Sequence, residues 1–147
     1  MSEKQISVTG IGNAIIDIIA GVDDRFLDRF NLTKGSMKLI CEQEAADLQA
    51  KIKVKKVISG GSVANTIAGL AILGNKVAFI GKVKNDDLGN AFEEDLKKLG
   101  IIYCTKKAEG DHPPTACCIV LSTPDAARTM NTFLGVAGML YPEDIDT

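Results

Sequence analysis

Residues 59 to 74 read Ser59-Gly60-Gly61-Ser62-Val63-Ala64-Asn65-Thr66-Ile67-Ala68-Gly69-Leu70-Ala71-Ile72-Leu73-Gly74, and no other stretch of the chain restricts its fold as much. Adjacent glycines reach backbone conformations closed to other residues and let a ligand come up against the main chain. The uncharged run of small and apolar residues behind them predicts a buried helix, and Gly74 suits the left-handed position just past a helix end. Ser62 is the expected N-cap, and Asn65, about one turn in, is expected to turn its amide to the same mouth. Such a loop offers open N–H groups and an amide to a ligand that carries hydroxyls. Taken alone, Gly-Gly-Ser reads more readily as the plain start of a core helix.

With 147 residues the chain has the size of one ordinary domain, enough for a core without disulfides or metals. Hydrophobic residues make up 46%, charged residues 24%, and the formal net charge is -2. That balance excludes a disordered tail and gives no reason to expect nucleic acid or a membrane as partner. Cys41, Cys104, Cys117 and Cys118 show no Cys-x-x-Cys spacing and His112 is the lone histidine, so no metal site is expected and the cysteines read as reduced core thiols. Met1-Ser2-Glu3-Lys4-Gln5 carries no apolar signal region, and no apolar run nears the ~20 residues of a membrane span. A cytoplasmic location is expected.

Ile6 to Asn13 alternates as a strand and ends in Gly10 and Gly12. Gly10-x-Gly12 invites a dinucleotide-binding reading, yet Ile15 stands at the third glycine position, and Ala14 to Ile19 is β-branched where a phosphate-binding helix must begin. Asp17 lies among Ile15, Ile16, Ile18 and Ile19. A lone carboxylate is costly to bury there, so Asp17 is either an edge residue facing water or a group with a partner.

Asp23 to Phe30 and Glu42 to Lys53 read as helices, the second with Ala45, Ala46, Leu48 and Ile52 inward. Ser36 to Cys41 is a short strand, and Val57-Ile58 a brief apolar lead into Gly60. Lys76 to Val83 suits a buried parallel strand. Asp86 is expected to cap a helix with Ala91, Phe92, Leu96 and Leu99 inward, ending at Gly100. Ile101 to Thr105 is a strand, His112 a surface histidine, and Thr115 to Leu121 pairs as a hairpin with Arg128 to Leu134. Ala137 to Thr147 turns toward a further element. The order predicts a doubly wound α/β sheet.

Gly60-Gly61-Ser62-x-x-Asn65-Thr66-Ile67 followed by Leu73-Gly74 resembles the first signature of the ribokinase-like (PfkB) carbohydrate and nucleoside kinases. Gly10-x-Gly12-Asn13-x-x-x-Asp17 is similar to the substrate-hydroxyl motif of that family, and Gly81-x-Val83-x-x-Asp86-x-x-Gly89 to its next segment. The Ser-x-x-Asn-x-Ile form, with Val63 and Ile67 where sugar kinases have small residues, is closest to the adenosine-kinase branch.

The resemblance implies a three-layer α/β/α fold, with a mainly parallel sheet and a small β-sheet lid whose strands lie within about 14–41 and 101–134. It implies that Asn13, Asp17, Gly60, Gly61, Ser62 and Asn65 bind the hydroxyls of a sugar or nucleoside, adenosine favoured over ribose or another sugar. Arg128 is the expected phosphate support, and purine selectivity would need an apolar slot, for which Phe133, Leu134 or Cys117 are the candidates. ATP and Mg²⁺ are the implied cofactors.

The family's Asp-x-x-Gly-Ala-Gly-Asp type segment, whose last aspartate takes the proton of the attacking hydroxyl, does not occur in these 147 residues. Residues 1–147 are therefore expected to be the N-terminal substrate-binding part of one kinase domain, inactive alone. The ATP-binding half and the catalytic base would lie in the remainder of the kinase chain, which counts as a partner. A homodimer through the lid strands is a further expectation. A non-catalytic sugar or nucleoside binding module, and less favoured a Rossmann-type oxidoreductase, are the alternatives.

Overall fold

The computed structural model describes residues 5–145. Residues 1–4, 146 and 147 lie outside the described residues, and with them parts of the expected N-terminal lead and of the expected closing element. The elements run β1 (Val8–Ile11), β2 (Ile15–Gly21), α1 (Asp24–Arg29), β3 (Met37–Leu39), α2 (Glu42–Gln49), β4 (Val54–Gly60), α3 (Ser62–Ile72), β5 (Val77–Ile80), α4 (Asp87–Lys98), β6 (Ala116–Ser122) and β7 (Arg128–Phe133). Two 3-10 turns follow, Gly135–Met139 and Pro142–Asp144.

β1 and β5 pair in parallel, Val8 opposite Val77 and Ile11 opposite Ile80. α3 packs on this pair and is seated by the glycines of β1. A Cβ at Gly10 would lie 2.7 Å from both Ile67 Cγ1 and Val63 Cγ1, and one at Gly12 would lie 3.0 Å from Val63 Cβ. Gly10 and Gly12 are thus occupied by two β-branched side chains one turn apart, and no cradle for a dinucleotide is left between them.

α3 closes as expected at Gly74, whose φ is +85°. The Gly74 N–H donates to Ala71 O at 2.9 Å and the Asn75 N–H to Leu70 O at 3.1 Å, the paired bonds of a left-handed helix end. Only Ala64 and Ile67 of this helix are buried. Ile72 and Leu73 are 73% and 79% exposed, so the expectation of a buried helix holds for one stripe alone. The expected strand Ile101 to Thr105 is reduced to a single parallel bridge from Ile102 to Ala78.

The other sheet has five strands in the order β3-β7-β6-β2-β4. β2 runs parallel to β6 and β3 to β7, while β4 and β6 are antiparallel to β2 and β7 respectively. The strands within 14–41 and 101–134, namely β2, β3, β6 and β7, all belong to this sheet, which is larger than the parallel pair. β4 joins it at the edge as a fifth strand, seven residues long, where only Val57-Ile58 was expected. Its Lys55 and Lys56 hid the pattern, because lysine on an exposed edge is how a strand avoids further pairing.

Alternation gives the sheet two unlike faces. Ile16, Ile18 and Ala20 are fully buried, under α4, which packs on β2 and β4, and α2, which packs on β6 and β7. Ile15, Asp17 and Ile19 form the opposite row and stay half-buried. Within α2, Ala45 and Leu48 are buried but Ala46 is exposed, since one residue turns a helix by about 100°. Leu99, at the end of α4, is 41% exposed. Cys117 and Cys118 are core thiols as expected, whereas Cys41 and Cys104 are exposed, and all four are free. Among the described residues no helix is long and apolar enough to cross a membrane.

Candidate functional site

The register of β2 on β4 sets Ile15 opposite Gly60, and Asp17, two residues on, projects from the same face. Its carboxylate leans over Gly60: a Cβ there would lie 2.5 Å from Asp17 Oδ2 and 2.7 Å from Oδ1. Gly61 has φ +95°, and a Cβ on it would lie 2.7 Å from the main-chain oxygen of Asn13. Both glycines are needed for the bend at Asn13 and the entry to α3 to come this close.

Gly61, not Ser62, is the N-cap of α3, because a side chain is excluded at φ +95° beside Asn13 O. Ser62 is instead the first helical residue, and its carbonyl accepts from Thr66 Oγ1 at 2.9 Å. No side chain caps α3, so its first-turn N–H groups stay open at the positive end of the helix.

The Asn65 N–H donates to Gly61 O at 2.9 Å. Asn65 is exposed and, with Ser59 and Asp95, borders a pocket of ≈ 300 Å³ between α3 and α4. The structure therefore brings together Asn13, Asp17, Gly60 and Gly61, sets Ser62 at their rim, and leaves Asn65 one turn behind. Arg128 pairs with Ser122, which pairs with Gly21. It stands on the Asp17 side of the sheet but about four residues, roughly 13 Å, toward the end away from Gly61.

Asp17 is flanked by β4 and β6 and is not an edge residue. Among the described residues it has no hydrogen bond or ion pair, and burial pushes its carboxyl above the usual carboxylate range. Its row across the sheet reads Ile58, Asp17, Cys118, Thr132, Leu39. Burial pushes the Cys118 thiol up, the Asp17 charge adds to this, and hydrogen bonds with Thr132 and the Asn131 main chain oppose it.

Two residues of the expected purine slot are misplaced. Cys117 pairs with Phe133, and both lie on the helix-covered face, where burial raises the Cys117 thiol to about 11. Cys118, Thr132 and Leu39 are the residues that share the Asp17 row on the open face. Counting by twos along each strand finds them only once the strand-to-strand register is known.

A half-buried carboxylate without a partner, over the glycine that leads into an uncapped helix start, suits vicinal hydroxyls. The carboxylate accepts their protons, and the N–H groups donate to their oxygens. Hydrogen bonds to a charged group contribute about 1.5–3 kcal/mol each. Among the described residues no group of His, Cys, Asp or Glu is placed to hold a metal ion.

The chain matches the family described as pfkB family carbohydrate kinase over residues 28–146. Guanosine-inosine kinase of Escherichia coli (strain K12) is 33% identical over 144 residues, which cover 94% of this chain and 33% of that protein. Among solved structures, adenosine kinase from Sinorhizobium meliloti superposes with a TM-score of 0.88 at 44% identity, covering 96% of this chain and 43% of that one. Adenosine kinase from Schistosoma mansoni in complex with adenosine gives a TM-score of 0.82 at 28% identity, covering 97% of this chain and 43% of that one. The chain thus spans 33% of the length of the curated kinase it matches. By its matched residues and its fold, the chain belongs to the pfkB family of carbohydrate kinases, and within that family it resembles the adenosine kinases.

Proposed function

We propose that residues 1–147 are the substrate-binding and lid part of an ATP-dependent kinase that phosphorylates the hydroxymethyl group of a nucleoside, adenosine being favoured. The observation that carries this reading is Asp17, an unpaired half-buried carboxylate over Gly60 at the uncapped start of α3. On this reading the ribose cis-diol bonds to Asp17 and to the main chain at Gly60, Gly61 and Ser62, with Asn13 and Asn65 at the margins. The base then lies along the row of Asp17 over Cys118 and Thr132, one strand step of about 5 Å apiece, toward the exposed Leu39. Relatives named for guanosine, inosine and adenosine support a nucleoside over a free sugar.

Closure of the five-stranded sheet over the nucleoside excludes the water that competes as phosphoryl acceptor. Arg128 supports the phosphate only if that closure carries the far end of β7 toward Gly61. ATP and Mg²⁺ belong, on this reading, to the remainder of the kinase chain. The described residues offer no donor set for the metal. The exposed Val8, Ile11, Ile72 and Leu73 on β1 and α3 supply an apolar surface for that remainder. A cytoplasmic enzyme accords with this chemistry.

Calorimetry of the chain with adenosine, inosine and ribose tests the reading. Adenosine binds without turnover, and Asp17→Asn weakens it at least about ten-fold, since one charged hydrogen bond is worth that much. Equal affinity in wild type and Asp17→Asn, or binding of a nicotinamide dinucleotide instead, overturns it.

A further inference from the structure

On the helix-covered side of the five-stranded sheet, a cavity of ≈ 210 Å³ opens between α2, the end of α1 and strands β3 and β7. Its apolar walls are Phe30, Leu32, Ile40 and Leu48, and Asn131 of β7 lies on its floor. Asn131 is 1% exposed, and its Nδ2 is the one buried side-chain polar atom without a partner among the described residues. A buried amide donor left unbonded costs about 1–3 kcal/mol, which a ligand with an acceptor would recover.

Four charged side chains, Lys38, Glu44, Asp47 and Lys51, also line the cavity, and the apolar four surround Asn131. The volume suits a single ring, since a cavity of about 150 Å³ is known to accept benzene. Phe30 supplies a flat wall, with Lys51 Nζ 4.9 Å from its ring centre. The rim favours neither sign of charge. Lys38 pairs with Glu44 at 3.0 Å, Asp47 accepts from Gln43 Nε2 at 2.9 Å, and Lys51 balances Asp47.

We infer that this cavity is a second small-molecule site, for a flat uncharged ring bearing one hydrogen-bond acceptor, seated with that acceptor on Asn131 Nδ2. It is distinct from the cup at Asp17. Asn131 and Thr132 are neighbours on β7 whose side chains leave opposite faces, and Thr132 belongs to the Asp17 row.

N-methyl-2-pyridone, which is flat, uncharged and an acceptor only, is the probe; toluene, of similar shape without an acceptor, is the control. Titrated into the ¹⁵N-labelled chain, the pyridone moves the Asn131 side-chain amide and the backbone of α2, β3 and β7 saturably, and toluene binds at least five-fold more weakly. Asn131→Leu removes the preference for the pyridone. Leu48→Trp, which fills the cavity from α2, removes binding of both and keeps the test sound if the first variant does not fold. No saturable shift in the folded wild type, a preference unchanged in Asn131→Leu, or shifts centred on Asp17 and Gly61 overturns the proposal.

Discussion

Asp86 holds Thr115 by both of its carboxylate oxygens: Oδ2 accepts from the Thr115 N–H at 2.9 Å and Oδ1 from Thr115 Oγ1 at 2.7 Å. Oδ1 also accepts from the Gly89 N–H at 2.8 Å. One side chain therefore starts α4 and fixes the residue just before β6, tying the five-stranded sheet to the helix beneath it. Thr115 is 1% exposed, so its groups cannot turn to water. Asp86→Ala is expected to cost about 2–4 kcal/mol, a lost cap together with stranded donors. Urea denaturation reads the loss, and Asp86→Asn, which keeps one acceptor, recovers part of it.

With the binding role proposed for it, Asp17 gives stability and binding opposite dependences on its charge. Burial raises its folded-state pKa above the ordinary 3.8, so the folded chain holds the proton more tightly than the unfolded one. Stability therefore falls as pH rises from about 3.8 through the raised value. Above that window Asp17→Asn is expected to be the more stable protein while binding nucleoside at least ten-fold more weakly. Denaturation and calorimetry across the same pH series check both halves. A variant that loses stability at neutral pH would show that Asp17 has a partner in the fold.

The contact of α3 on β1 predicts a steric pair. Gly10→Ala places a methyl 2.7 Å from Val63 Cγ1 and Ile67 Cγ1 and should destabilise by about 1–3 kcal/mol through overpacking. Adding Val63→Ala relieves one of the two clashes, so the double variant should be more stable than the sum of the singles. A double-mutant cycle measured by thermal unfolding shows additivity if that packing is wrong.

Asp144 ties the last 3-10 turn to the chain after β5. Lys82 Nζ donates to its two oxygens at 2.8 Å and 2.7 Å, with side chains only 9% and 12% exposed. The Lys82 hydrogen bonds are the main cause of an Asp144 carboxyl held below its ordinary 3.8. Its contribution to stability is thus present above 3.8 and is lost as pH falls through the depressed value. Amide exchange at Asp144 and Ile145 should speed up on acidification, and at neutral pH in Lys82→Met. Exchange unchanged in both conditions would mean that the turn is held by other contacts.

Much of this was legible before any coordinates. Gly74, Asp86 and the hairpin of β6 and β7 announce themselves locally, because a helix end, a cap and a turn each depend on a few adjacent residues. The closeness of Asn13, Asp17, Gly60 and Gly61 came from family resemblance, since no local pattern joins residues 13 and 61. What escaped was non-local. β4 was hidden by its edge lysines, Gly61 took the cap from Ser62 because Asn13 O crowds it, and Cys117 was chosen over Cys118 because one step of phase along β6 depends on pairing with β2. Asn131 gave no sign at all, being a polar residue inside an ordinary strand.

The two rows of β2 carry separate duties. Ile16 and Ile18 hold the helices, while Ile15 and Ile19 flank the acid on the opposite side. On the proposed binding role of Asp17, exchanging Ile15 or Ile19 retunes which guest is admitted without loosening the protein beneath, whereas a single inserted residue would trade the two duties and ruin both. A scaffold built this way diversifies by swapping side chains in place and tolerates no change in the length of that strand.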